Sequence, residues 1–184
     1  MKSFFFKLAM LGVVLSSPYA EAGVFNYSGD TMGGLTWNRP IEGNPPTLLS
    51  AVGTAVPFSA FQFKVDASGD YSFEVLATNS FDPNLFLYQG SFNPNTPLAS
   101  VIDGNDDLTV TNPLSKFSHT LTAGTSYYLV TTGFDNASAG KFNNEISGVG
   151  NIAAVPEPEE WAMMIVGAAL VSFQVRRKAK GTAS

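Results

Sequence analysis

The chain has 184 residues, with 10 Lys and Arg against 15 Asp and Glu, one His and no Cys. A formal charge of −5 at pH 7 argues against nucleic acid and anionic membrane surfaces as partners, because such a surface repels polyanions. Without cysteine there is neither a disulfide staple nor thiol chemistry, and one histidine gives little basis for a zinc site.

Residues 1–22 read as an export signal. Lys2 and Lys7 bracket Phe4, Phe5 and Phe6, and residues 8–15 form an apolar run. Ala20-Glu21-Ala22 is a small-x-small site, so cleavage is expected after Ala22 by the apparatus that serves Sec-type export. A retained membrane anchor is the competing reading, and Pro18 and the Ala-x-Ala site argue against it.

Residues 23–154 are expected to form one extracytoplasmic domain, long enough at roughly 130 residues to bury a core. They hold four basic residues (Arg39, Lys64, Lys116, Lys141) against eleven acidic ones, a net of −7. That charge suits cations or neutral sugars.

Residues 23–44 show little periodicity and predict an edge strand followed by a loop. Pro45-Pro46 extends or turns the chain, and residues 47–56 predict a short strand interrupted by Gly53. Phe61, Phe63 and Val65 alternate with Gln62 and Lys64. After the turn residues 66–70, Tyr71, Phe73, Val75 and Ala77 alternate with Ser72, Glu74 and Thr78. Two alternating strands joined by a Gly-containing turn predict a hairpin.

Leu85-Phe86-Leu87-Tyr88 is an unbroken apolar run, which fits a strand covered on both faces. Residues 98–102 predict a short strand, Asp103-Gly104-Asn105-Asp106-Asp107 an acidic turn, and residues 108–110 an edge. Phe117, His119 and Leu121 share one parity, residues 127–132 are rich in aromatic and β-branched side chains, and residues 142–152 predict a last strand weakened by Gly148 and Gly150. No stretch of residues 23–154 has helical periodicity. The fold class expected is all-β, a single antiparallel sandwich or jelly roll.

The order of residues 69–75 (Gly-Asp-Tyr-Ser-Phe-Glu-Val), 81–88 (Phe-Asp-Pro-Asn-Leu-Phe-Leu-Tyr), 105–107 (Asn-Asp-Asp) and 121–130 resembles bacterial pre-peptidase C-terminal domains. The resemblance covers roughly residues 56–133. It implies an extracellular, non-catalytic β-sandwich, often with calcium, and it implies that Asp82 lies beside Asp106 and Asp107.

The acidic turn is the candidate site. Calcium takes six to eight oxygen ligands, which Asp and Asn side chains and turn carbonyls supply. Asp103, Asn105 and Asp107 stand two apart, as at the start of an EF-hand loop. Leu108 and Leu114, however, occupy the positions of that loop's glycine and closing Glu, so the pattern fails. Three adjacent carboxylates repel unless a cation or a proton joins them. Asp82, Asp103, Asn105, Asp106 and Asp107 are therefore the candidate calcium ligands. A solvated turn, which favours Asp, Asn and Gly for backbone reasons, is the other reading.

His119 has Ser118 and Ser126 nearby in sequence, but neither serine sits in a Gly-x-Ser-x-Gly elbow. A strand position for the histidine is the simpler expectation. A glycosidase would need two of Glu74, Glu145, Asp82 and Asp106 across a cleft, for which a chain this short leaves little room. Trp37, set among Gly, Asn and Pro, is the candidate for stacking on a sugar ring.

Residues 155–184 form a three-part tail. Pro156-Glu157-Pro158 is followed by an uncharged run over residues 161–175 and then by Arg176, Arg177, Lys178 and Lys180. As a helix the run spans about 22 Å of a hydrocarbon core near 30 Å. It crosses only with Trp161 at one interface and the arginines snorkelling into the other. This order at the C-terminus resembles the PEP-CTERM sorting signal of bacterial exported proteins. The resemblance implies anchoring in the inner membrane, then processing near Pro156, Glu157 and Pro158 by an exosortase-type enzyme. It also implies a bacterium that makes extracellular polysaccharide.

The expected function is that of an exported, non-enzymatic protein of the cell surface or exopolysaccharide matrix. A carbohydrate-binding module of that matrix is the second reading and a small secreted hydrolase the third.

Overall fold

The computed structural model describes residues 22–78, 81–107, 109 and 114–156. Ten strands are present among them: β1 (Gly23–Asp30), β2 (Thr36–Trp37), β3 (Val56–Val65), β4 (Gly69–Thr78), β5 (Pro83–Gln89), β6 (Val101–Asn105), β7 (Lys116–Leu121), β8 (Ser126–Gly133), β9 (Lys141–Gly148) and β10 (Ile152–Ala154). No helix occurs among the described residues, so none there is long and apolar enough to cross a membrane. The tail run over residues 161–175 lies outside them.

The strands form two antiparallel sheets. One has four strands in the order β1-β9-β4-β7. The other runs β10-β3-β8-β5-β6, with β2 added beside β3. The all-β, antiparallel expectation holds. The hairpin expectation does not: β3 pairs with β8, β10 and β2, whereas β4 pairs with β9 and β7. Alternation reports which face of a strand is buried, not which strand lies beside it. Here the two apolar faces meet across the sandwich, with the Phe63 and Phe73 rings 6.0 Å apart.

The inter-sheet core comprises Phe63, Val65, Tyr71, Phe73, Val75, Leu85, Leu87, Leu121, Tyr127, Leu129 and Ile146. A second cluster lies on the opposite face of the larger sheet, where Trp37, Val56, Phe86, Tyr88, Val101 and Val130 pack under the segment leading into β3. This second layer explains the unbroken apolar run in β5, whose side chains from Pro83 to Tyr88 are all buried. Residues 47–55 form loop rather than a strand, held by the Pro40–Leu49 bridge and by Ser50 Oγ, which accepts from Gly53 N at 3.0 Å.

The predicted last strand is two. β9 ends at Gly148, where a Cβ would strike the Tyr71 ring, and β10 starts after the Val149-Gly150 bend. The acidic turn is shorter than expected, because β6 extends through Asp103, Gly104 and Asn105 and pairs them with Leu87, Phe86 and Leu85.

Candidate metal centre

β5 begins and β6 ends at the same end of the larger sheet, because the two strands are antiparallel neighbours. Asp82 immediately precedes β5, and Asp106 and Asp107 immediately follow β6. Each of the three offers a carboxylate oxygen, and these oxygens lie within 4.8 Å of one another. The end of β8 closes the site: Phe134 N donates to Asp82 O at 2.9 Å.

Asp82 Oδ1 and Asp106 Oδ1 are buried and have no hydrogen-bond partner among the described residues. Burial, then the charges of Asp82 and Asp107, push the Asp106 carboxyl up to about 6. Burial, then the Asp107 charge, also raises Asp82. Arg39 pulls both back down, but the two hydrogen bonds its guanidinium makes go to backbone carbonyls instead. Nε donates to Phe134 O and Nη1 to Pro40 O, each at 2.9 Å, with the guanidinium 5.2 Å from the Phe134 ring centre. Arg39 is 2% exposed, so a buried cation offsets the acidic charge without satisfying the orphan oxygens.

Asn84 is buried, and neither amide atom has a partner among the described residues. One step beyond the Leu85–Asn105 pair, the β5–β6 register sets Asn84 across from Asp106. Arg39 and Asn84 are the residues that sequence reasoning missed. A lone arginine in a Gly/Pro-rich loop and an Asn entering an apolar strand were the available signals.

Asp103 and Asn105 do not join the cluster. Strand alternation turns Asp103 toward the smaller sheet, where its Oδ2 lies 2.8 Å from the donating Asn44 Nδ2 and 2.9 Å from His119 Nδ1. Asn105 Oδ1 accepts from Lys116 N at 3.1 Å and Ser115 Oγ donates to Asn105 O at 2.7 Å, which ties β6 to β7. Both are structural, because β6 runs three residues further than the turn composition suggested.

Trp37 is also corrected. It is 3% exposed, its Nε1 donates to Thr132 Oγ1 at 3.1 Å, and its ring packs among Phe58, Phe86, Tyr88 and Phe92, so no ring face is open to a sugar. Phe58, Phe61, Phe92 and Tyr128, by contrast, line open space. With Gln62 they border a groove of about 630 Å³ on the outer side of the larger sheet.

Glu74 and Glu145 are cross-strand neighbours on β4 and β9, and Lys116 Nζ lies 2.6 Å from Glu74 Oε2. They are on the smaller sheet, while Asp82 and Asp106 are at the end of the larger one. Ser118 and His119 fall in successive positions of β7 and so face opposite ways. Of the processing residues, Ala22 and Pro156 are exposed just outside β1 and β10. Ala20, Glu157 and Pro158 lie outside the described residues.

No protein-family model matches the chain, and no curated protein does. Among solved structures it is similar to the pre-peptidase C-terminal domain of collagenase from Bacillus anthracis, at 14% identity over 71% of this chain and 90% of that one, with a TM-score of 0.40. It is also similar to CBM35 from Cellvibrio japonicus Abf62, at 12% identity over 74% of this chain and 99% of that one, with a TM-score of 0.36.

Proposed function

We propose that the chain is an exported, non-enzymatic β-sandwich protein of the cell surface or exopolysaccharide matrix, whose fold is completed outside the cytoplasm by a bound calcium ion. The observation that carries the cation is the cluster of Asp82, Asp106 and Asp107, with two buried carboxylate oxygens lacking any partner among the described residues. Hard oxygen donors of this kind suit calcium. Asp82, Asp106 and Asp107 would hold the ion, with Asn84 Oδ1 as a neutral fourth donor. The ion's charge would offset the burial and the neighbouring carboxylate charges that raise the Asp106 carboxyl.

Export and sorting rest on the two ends of the sequence. Residues 1–22 are the cleaved signal, 23–154 the domain and 155–184 the sorting tail. Two boundaries support that division: β1 begins at Gly23, and β10 ends at Ala154. Intact mass of the protein recovered from the producing bacterium tests it. The expected species begins at Gly23 and ends near residues 156–158; full-length chain in the soluble cell interior overturns the sorting reading. Titration calorimetry tests the ion: one calcium is expected per parent chain and none for Asp106→Asn.

A second reading, carbohydrate binding, is favoured by the half-buried aromatics of the groove, since a ring with one face open can stack on a sugar. A pull-down on matrix polysaccharide addresses it. Binding that Phe92→Ala and Tyr128→Ala both weaken supports the module. Binding that neither changes, or none at all, removes it.

A further inference from the structure

Arg39 is a buried cation held apart from the carboxylates whose field it shares. The loop fixes its backbone: Arg39 N donates to Gly53 O at 2.9 Å, and Ser50 N donates to Arg39 O at 2.8 Å. Gly53 makes room for the side chain, because a Cβ there would lie 2.7 Å from both Cγ and Nε of Arg39. The guanidinium reaches the loop after β8, where Phe134 O accepts from Nε while Phe134 N donates to Asp82 O. One residue thus sets the arginine charge beside the entry to β5.

A guanidinium near carboxylates ordinarily pairs with one of them, often through two parallel hydrogen bonds. Among the described residues no salt bridge joins Arg39 to a carboxylate. Asp82, Asp106 and Asp107 gather their oxygens within 4.8 Å of one another instead. The charges still act on each other. Burial lowers the Arg39 pKa, and the charges of Asp106, Glu42, Asp82 and Asp135, in that order, act the other way.

We propose that Arg39 tunes the cation site: its fixed positive charge keeps calcium affinity low and lets the domain fold before the ion arrives. This rests on the calcium reading above. With the site empty, Arg39 supplies part of the positive charge that three clustered carboxylates require. A calcium ion entering the cluster is attracted by the carboxylates and repelled by Arg39. Salt screens a buried charge only weakly, and arginine keeps its charge at any physiological pH. Nor is the guanidinium free to swing away, since Phe134 O, Pro40 O and the Phe134 ring hold it. The result is a site that exchanges its ion at the calcium levels typical of extracellular modules, where three uncompensated carboxylates would stay loaded.

Arg39→Met tests the proposal, because it removes the charge and keeps an apolar stem beside Gly53. Calcium affinity is measured by titration calorimetry and terbium affinity by luminescence, on the full chain in mild detergent at pH 7. Terbium resembles calcium in size and in its preference for oxygen donors, but carries one more positive charge. The variant is expected to bind calcium about tenfold tighter and terbium about thirtyfold tighter, since the repulsion scales with the charge of the ion. Arg39→Gln, which keeps a donor for Phe134 O, should shift both ions the same way. Unchanged affinities overturn the proposal. An equal gain for both ions also overturns it, because packing and not charge would then be the cause. So does failure of both variants to fold in about 10 mM calcium, since the ion would be no substitute for the guanidinium charge. Calcium bound by the variants but not by the parent keeps the proposal and removes the calcium reading of the parent protein. Calcium bound by none of the three removes both.

Discussion

His119 and Asp103 meet at 2.9 Å although their strands, β7 and β6, are the outermost members of different sheets. The contact joins the two sheets along one side of the sandwich. Asp103 Oδ1 also accepts from Gly104 N, and its Oδ2 from Asn44 Nδ2, so the loop before β3 is tied in as well. The single histidine is thereby a fastening between layers.

His119→Ala should accordingly destabilise the domain. It leaves a carboxylate that is 5% exposed with one donor fewer, at a cost of about 1–3 kcal/mol. Urea denaturation followed by tryptophan fluorescence reads the change. A variant as stable as the parent would show that the Asn44 and Gly104 donors suffice.

Trp37→Ala should be more severe. The ring anchors the second core layer, and truncating a buried Trp costs about 3–5 kcal/mol. Trp37→Phe keeps most of the packing and loses the bond to Thr132, so it should fall between the two. The check is the denaturation midpoint of each variant, measured before any glycan assay.

Metal-free protein should lose stability as pH rises from about 4 to about 6. Asp106 holds its proton more tightly in the fold, up to about 6, than in the unfolded chain. In that window the native state therefore binds more protons, and unfolding becomes easier as pH increases. Asp82 shifts in the same direction. Asp66 and Asp135, lowered first by side-chain hydrogen bonds from Asn151 and Ser138, act oppositely, but below about pH 4. Thermal melts in EDTA across pH 4–7 check the sign, and Asp106→Asn should flatten the slope.

Much of the fold was legible in the sequence because each sandwich strand buries one face, which period-two patterning records. Phe61, Phe63 and Val65, then Tyr71, Phe73 and Val75, were readable as strands for that reason. Their assignment to separate sheets was not, since pairing is decided by partners such as Tyr128 and Ile146 far along the chain. The same limit affected the site. Asp82, Asp106 and Asp107 were named from sequence, but Asp103 and Asn105 were grouped with them because turn-forming composition hid the end of β6. Trp37 looked exposed from its Gly/Pro-rich neighbours, yet that loop is the lid of a second core. Arg39 and Asn84 carry no local pattern that marks them as buried beside carboxylates.

The central claim is that a divalent cation completes the Asp82–Asp106–Asp107 cluster. The most direct measurement is the melting temperature of the exported protein at pH 7, first in EDTA and then with calcium raised to about 10 mM, since extracellular sites are often weak. Binding to the native state alone should raise the midpoint on the order of 5 °C, and Asp106→Asn should abolish the rise. An unchanged midpoint in the parent protein at that concentration would contradict the account.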